Sequence, residues 1–64
     1  MRSDLIDLEV EYVHSTAAAI LVRDGDKEVW IPKSVVEYDA DLARVGKPIT
    51  ITLPERWALD KGLI

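Results

Sequence analysis

The stretch HSTAAAILVRDGDKEVWIP, residues 14–32, contains two apolar runs on either side of the turn sequence DGD at 24–26. An Asp-Gly pair between apolar runs is a strong signal for a tight β-hairpin, because glycine supplies the positive φ that such turns require. We therefore predict that residues 17–23 and 27–32 pair as antiparallel strands.

Both of these strands are predicted to carry apolar residues on both faces. Ile20 and Val22 share one face of the first strand, and Leu21 lies on the other. In the second strand Val29 and Trp30 point to opposite sides in the same way. A strand whose two faces are both covered is either central in a closed barrel or lies at an oligomer contact. We therefore expect the chain to form a barrel or to associate with itself.

Two further strands are predicted from alternating apolar and polar residues. The segment IDLEVEY at 6–12 alternates with a period of two, which indicates a strand with one buried and one solvated face. The segment ITITL at 49–53 has the same pattern and follows a Gly-Lys-Pro turn. Between them, we expect residues 34–38 to be extended or irregular and residues 40–44 to form one helical turn.

The C-terminal segment is predicted to be a short helix over residues 54–61. Thr52 and Glu55 have the spacing of a capping box, and Gly62 is placed to end the helix in a left-handed conformation. So short a helix is unstable alone and must pack on the sheet, for which Trp57 offers a large apolar side chain.

These elements predict a single small domain, residues 1–64, that is mainly β with a minor helical part. We expect about four to five short antiparallel strands, arranged as an SH3-like or OB-like small barrel or as a curled sheet with a short C-terminal helix. Folds of this kind carry many functions, so the architecture alone decides nothing about activity.

Composition excludes several classes of protein. The chain has 64 residues, no cysteine and one histidine, which excludes disulfides and leaves too few ligands for an ordinary zinc site. The formal net charge of −4 disfavours binding to nucleic acid through phosphates. No apolar run approaches the ~20 residues that cross a bilayer, and no signal-peptide segment is present, so we expect a cytoplasmic protein without membrane contact.

A candidate ligand-binding or partner-binding group consists of Trp30, Lys33, Ser34, Arg56 and Trp57. An aromatic face holds a base while a cation and a hydroxyl hold a phosphate, so this group is suited to a nucleotide or a related anion. The alternative is structural: Trp30 packs against the terminal helix and Trp57, and Ser34 caps a helix.

The acidic residues offer a second candidate surface and no catalytic site. Asp7, Glu9 and Glu11 lie on one face of the first predicted strand, where they favour a basic protein partner or nucleic-acid mimicry, or are simply solvated. The remaining carboxylate pairs lie in turns, and acid–base catalysis needs two groups in environments that separate their pKa values. We therefore predict no catalytic residue, no cofactor and no metal site.

Two motifs, KEVWIPKSVVE at 27–37 and ITITLPERWALDKGL at 49–63, resemble a group of short phage and prophage proteins of unassigned function. The resemblance covers about half of the chain. The matching positions are Trp30, Ile31, Pro32, Lys33, Ser34, Pro54, Glu55, Trp57, Lys61, Gly62 and Leu63. Val35 replaces a polar amide that is usual in the group, and Arg56 shifts the second tryptophan by one position. The resemblance implies a phage or prophage gene and implies no activity.

From these observations we predict a non-enzymatic, self-associating binding module that engages a host or phage protein. A small-ligand protein that sequesters a nucleotide or related anion is the alternative, and a single-strand nucleic-acid binder is the third hypothesis.

Overall fold

The computed structural model describes residues 4–64, which form one antiparallel sheet with the strand order β3-β2-β1-β4. The elements are β1 Leu5–Ser15, β2 Ala19–Asp24, β3 Lys27–Pro32, a 3₁₀ turn at Ala40–Leu42, β4 Pro48–Pro54 and helix α1 Glu55–Asp60. The predicted mainly-β class with a short C-terminal helix is confirmed. The sheet is open, because β3 and β4 lie at its two edges and do not pair to close a barrel.

The β2–β3 hairpin forms where it was predicted, and its turn sets the register of the sheet. Asp24 pairs with Lys27, which leaves a two-residue loop of Gly25 and Asp26. Gly25 has φ +65°, and no residue other than glycine has a positive φ among residues 4–64. Positive φ at the first loop position alone is the pattern of a type II′ turn. This register aligns Leu21 with Trp30 on one face of the sheet.

The hydrophobic core lies on one face of the sheet. Its buried side chains are Val10, Ile20, Val22, Ile31, Val36, Ile49, Ile51, Leu53, Ala58 and Leu63. The segment after β3 contributes Val36, and the C-terminal part contributes Ala58 and Leu63, so these two segments cover the sheet. Within the described chain β2 is central in an open sheet and only its core face is covered, so the closed-barrel explanation for its two apolar faces does not hold, whereas the oligomer contact stays a prediction.

A β-bulge interrupts the pairing of β1 with β2. Tyr12 pairs with Val22 and His14 pairs with Leu21, so Val13 is an extra residue on β1. Without the bulge, His14 would lie on the same face as Tyr12, because successive side chains alternate. The bulge therefore moves His14 to the face opposite the core.

The predicted capping box at the start of α1 is wrong. Pro54 is the N-cap residue and no side chain caps the helix. Thr52 still lies in β4, directly across from Asp7, and its hydroxyl donates to Asp7 Oδ1 at 2.6 Å. The Thr52 hydroxyl, which the capping box required, is thus bonded to the neighbouring strand instead.

The predicted end of the helix at Gly62 is confirmed. Gly62 has φ +76°, its N–H donates to Leu59 O at 3.1 Å, and the Leu63 N–H donates to Ala58 O at 2.8 Å. These two bonds define a Schellman motif, which turns the chain back and buries Leu63 against the core.

The segment between β3 and β4 is mostly irregular, as predicted. Glu37 forms an isolated antiparallel bridge with Thr52 through two backbone hydrogen bonds of 2.7 and 2.8 Å. Residues 40–42 form the predicted helical turn as a 3₁₀ helix, and the Asp39 carboxylate caps it by accepting from the Asp41 N–H at 3.0 Å.

We predict that Gly62→Ala lowers the free energy of unfolding by about 1–2 kcal/mol, because an L-residue with a side chain is strained at positive φ. The added Cβ would also lie 2.3 Å from Lys27 Nζ, which must then move from the Gly62 carbonyl that it contacts at 3.3 Å. Urea unfolding followed by circular dichroism measures the change.

Gly46→Ala is the matched control, since Gly46 has φ +81° and open space around its Cβ position. We expect this variant to show the backbone strain without the loss of the Lys27 contact. A Gly62→Ala protein as stable as the wild type would contradict the Schellman assignment.

Candidate functional site

The face of the sheet opposite the core, here called the outer face, contains no buried residue among those described. Its side chains follow from the strand register and are Leu5, Asp7, Glu9, Glu11 and His14 on β1, Ala19, Leu21 and Arg23 on β2, Glu28, Trp30 and Pro32 on β3, and Pro48, Thr50, Thr52 and Pro54 on β4. All of them are exposed or half-buried. The outer face is therefore open to solvent and available for binding.

One half of the outer face carries an aromatic patch made of Trp30, Leu21 and His14. Leu21 pairs with Trp30 on β3 and with His14 on β1, so the three side chains lie side by side across three strands. The rings of His14 and Trp30 meet edge to face, with centroids 6.4 Å apart and planes at 82°. Trp30 nevertheless remains 44% exposed. An exposed tryptophan with packed neighbours is a typical anchor of a binding surface.

A charged row separates this patch from the rest of the outer face. Arg23 Nη1 contacts Glu11 Oε2 at 2.8 Å, and Arg23 Nε contacts Glu28 Oε2 at 3.0 Å. The hydrogen bond that Arg23 donates to Glu28 and the negative charge of Glu11 raise the pKa of Arg23 above its ordinary value. These ion pairs are exposed, so their main effect is to orient three side chains across three strands.

The three residues of the predicted acidic surface do share the outer face. They differ in their surroundings, because Glu11 pairs with Arg23 and Asp7 accepts the Thr52 hydroxyl at 2.6 Å. Glu9 lies across from Thr50, and among residues 4–64 it has neither a side-chain hydrogen bond nor an ion pair. The acidic character is therefore concentrated at Asp7 and Glu9.

Arg56 and Trp57 lie on α1, away from the aromatic patch. Trp57 packs against the core cluster, and Lys61 Nζ lies 5.7 Å from the centroid of its ring, within the range of a cation–π contact. Arg56, Trp57 and Asp60 line an open surface depression of about 420 Å³. The Asp60 carboxylate makes this depression less suited to an anion than Arg56 alone would.

The five residues of the candidate ligand-binding or partner-binding group do not lie together in the structure. Trp30 lies on the outer face, whereas Arg56 and Trp57 belong to the helix that packs on the core side. Lys33 and Ser34 lie in the turn after β3, where the Lys33 N–H donates to Ala18 O at 2.8 Å. The structural alternative for Trp30 also differs from the observed packing, since its aromatic contact is with His14 and not with Trp57.

Two members of the aromatic patch, Leu21 and His14, were not predicted as binding residues. The position of Leu21 beside Trp30 follows from a two-residue hairpin loop, so the turn sequence does contain a signal for it. The position of His14 depends on the bulge at Val13, for which we find no signal in the local sequence.

Residues 4–64 also bear on metal binding and on membrane crossing. No group of three or more His, Cys, Asp or Glu side chains there is arranged to hold a metal ion. None of the helices in that range combines the length and the apolar character that crossing a bilayer demands.

Comparison with protein-family models, with curated proteins and with solved structures gave no match to this chain.

We predict that the two tryptophans differ in accessibility. In a Trp57→Phe variant the remaining Trp30 should emit at longer wavelength and be quenched readily by acrylamide, because it is 44% exposed on the outer face. In a Trp30→Phe variant the remaining Trp57, packed on the core cluster, should be quenched less. Circular dichroism of both variants controls for folding, and equal quenching of the two would contradict the assigned faces.

Proposed function

We propose that this protein is a non-enzymatic accessory binding module of a phage or prophage, which works in the host cytoplasm by engaging a basic surface of a host or phage protein. The phage context is supported by the resemblance of the two sequence motifs around Trp30 and Trp57. The binding role is supported by the geometry of the outer face.

The observation that carries the proposal is the exposed aromatic patch. Trp30, Leu21 and His14 lie side by side on the sheet, and Trp30 is 44% exposed although the chain has a core that accommodates other large side chains. Aromatic residues are enriched among the residues that contribute most to protein–protein affinity.

The choice of a basic partner rests on the charges beside the patch. Asp7 and Glu9 occupy the other half of the outer face, and Arg23 is already paired with Glu11 and Glu28. A partner that covers the patch therefore also meets uncompensated negative charge. Complementary positive charge on the partner would raise the association rate and select against acidic proteins.

A role outside catalysis is supported by the setting of the carboxylates. Asp24, Asp26, Asp39 and Asp41 are exposed, and Asp39 serves as a helix cap. Exposed carboxylates in turns lack the separated environments that acid–base pairs use.

The proposal is tested by affinity capture from a bacterial host lysate with four immobilised proteins: the wild type, Trp30→Ser, the double variant Asp7→Lys/Glu9→Lys, and Leu59→Ser. Leu59 is 59% exposed on α1 and serves as the matched control for removal of a surface apolar side chain. We expect one protein to be retained by the wild type and by Leu59→Ser and to be lost with the other two variants. That protein, once purified, should bind the wild type directly and less tightly at high salt.

Three outcomes would overturn the proposal. In the first, the Trp30→Ser variant retains every protein that the wild type retains. In the second, nucleotides raise the thermal midpoint by mass action, which would favour the sequestering hypothesis. In the third, single-stranded DNA binds with an affinity that falls steeply with salt, which would favour nucleic-acid binding.

A further inference from the structure

The strand β3 has one unpaired edge. The two-residue turn makes Lys27, Val29 and Ile31 the residues that exchange backbone hydrogen bonds with β2, so Glu28 and Trp30 direct their N–H and C=O groups away from the sheet. Within residues 4–64, β3 pairs with β2 only, and no loop hydrogen bond reaches these outward groups. Such an edge is a template for another strand.

The opposite edge of the sheet is protected by contrast. The β4 residues with outward backbone groups include Pro48 and Pro54, which have no N–H to donate. The outward groups of Thr52 are taken by the bridge to Glu37. Thr50 is left as a single unpaired position between blocked neighbours, so a new strand is favoured at β3.

We propose that β3 pairs antiparallel with β3 of a second copy of this chain, around a two-fold axis at Val29. This arrangement places Glu28 of each copy opposite Trp30 of the other. Both residues direct their N–H and C=O groups outward, so the contact forms four backbone hydrogen bonds. The inference goes beyond the proposed function by assigning a second copy of the chain as a partner, and it leaves the outer face uncovered on both copies.

Neighbouring registers satisfy fewer groups. If Trp30 lay opposite Trp30 of the second copy, Glu28 would face Pro32, which lacks an N–H and whose carbonyl already accepts from the Val35 N–H at 3.1 Å. If Glu28 lay opposite Glu28, Trp30 would face Asp26 in the turn. Only the register centred on Val29 pairs both outward residues of each strand.

The charges at the two ends of β3 support a second copy as the occupant. The Lys33 N–H still bonds to Ala18 O, so the backbone remains aligned with β2 at residue 33. In the proposed register Lys33 of one copy lies opposite Gly25 of the other, between the Asp24 and Asp26 carboxylates. Among the described residues, these three charged side chains have no hydrogen bond or ion pair, and the two-fold axis repeats the complementary contact.

Amide hydrogen exchange measured by NMR over a series of protein concentrations tests the pairing directly. We expect the Glu28 and Trp30 amides to become protected as concentration rises, in step with a monomer–dimer equilibrium in sedimentation experiments. The Thr50 amide, on the opposite edge, is the internal control and should exchange rapidly throughout. Exchange of Glu28 and Trp30 that does not depend on concentration would overturn the inference, as would protection that appears only when a different protein is added.

The variants Glu28→Pro and Glu28→Ala distinguish the contribution of the outward N–H of residue 28 from that of its side chain. Both remove the ion pair with Arg23, but only proline removes the donor that points away from β2. We expect Glu28→Ala to dimerise like the wild type and Glu28→Pro to remain monomeric, with circular dichroism confirming that both are folded. Equal dimerisation of the two variants would refute the edge contact.

A charge exchange tests the register without altering any residue of β3. Lys33→Glu, and separately Asp24→Lys/Asp26→Lys, should each weaken the dimer by about tenfold, since attraction becomes repulsion at two symmetric contacts. An equimolar mixture of the two variants should recover the loss by forming a mixed dimer. No recovery in the mixture would exclude the register centred on Val29.

These measurements are independent of the test of the proposed function. A monomeric wild type that still retains a protein partner through Trp30 would refute the edge pairing and leave the binding role intact. A wild type that dimerises with the expected exchange pattern, but captures no protein whose binding depends on the outer face, would support the edge pairing and refute the binding role.

Discussion

The two-residue turn at Gly25 and Asp26 is the constraint on which the arrangement of this sheet depends. It fixes the register of β2 against β3, and a slip of one residue would exchange the faces of every side chain on β3. With the observed register, Val29 and Ile31 lie on the core side and Trp30 lies on the outer face. The binding surface and the hydrophobic core are therefore consequences of the same turn.

The placement of the non-strand segments explains why one face of the sheet is open among the described residues. Outside the four strands, the described residues provide the irregular segment between β3 and β4, the six-residue helix α1 and the turn after it, and these cover the core face through Val36, Ala58 and Leu63. Nothing of comparable length among the described residues is left for the outer face. Apolar side chains that point there, Trp30 and Leu21 above all, are thus available to other molecules.

The main elements were predictable because their signals are local. Alternating residues indicated β1 and β4, the Asp-Gly turn indicated the hairpin, and Gly62 marked the end of α1. The errors occurred where a distant contact takes precedence over a local pattern. The hydroxyl of Thr52 bonds to Asp7 on a neighbouring strand instead of capping the helix, and residues proposed as one clamp are divided between two sides of the sheet.

By itself the sequence determined the strand pattern, the tight turn, the helix end and the acidic row of β1, because each depends on neighbours along the chain. Tertiary structure alone decided that the sheet stays open, that Val13 is bulged so that His14 meets Trp30, and that β4 is protected at its edge while β3 is not. These features depend on how strands far apart in the chain share hydrogen bonds and cover one another. A local pattern contains no record of that pairing, and so the surface available for binding is a property of the folded sheet.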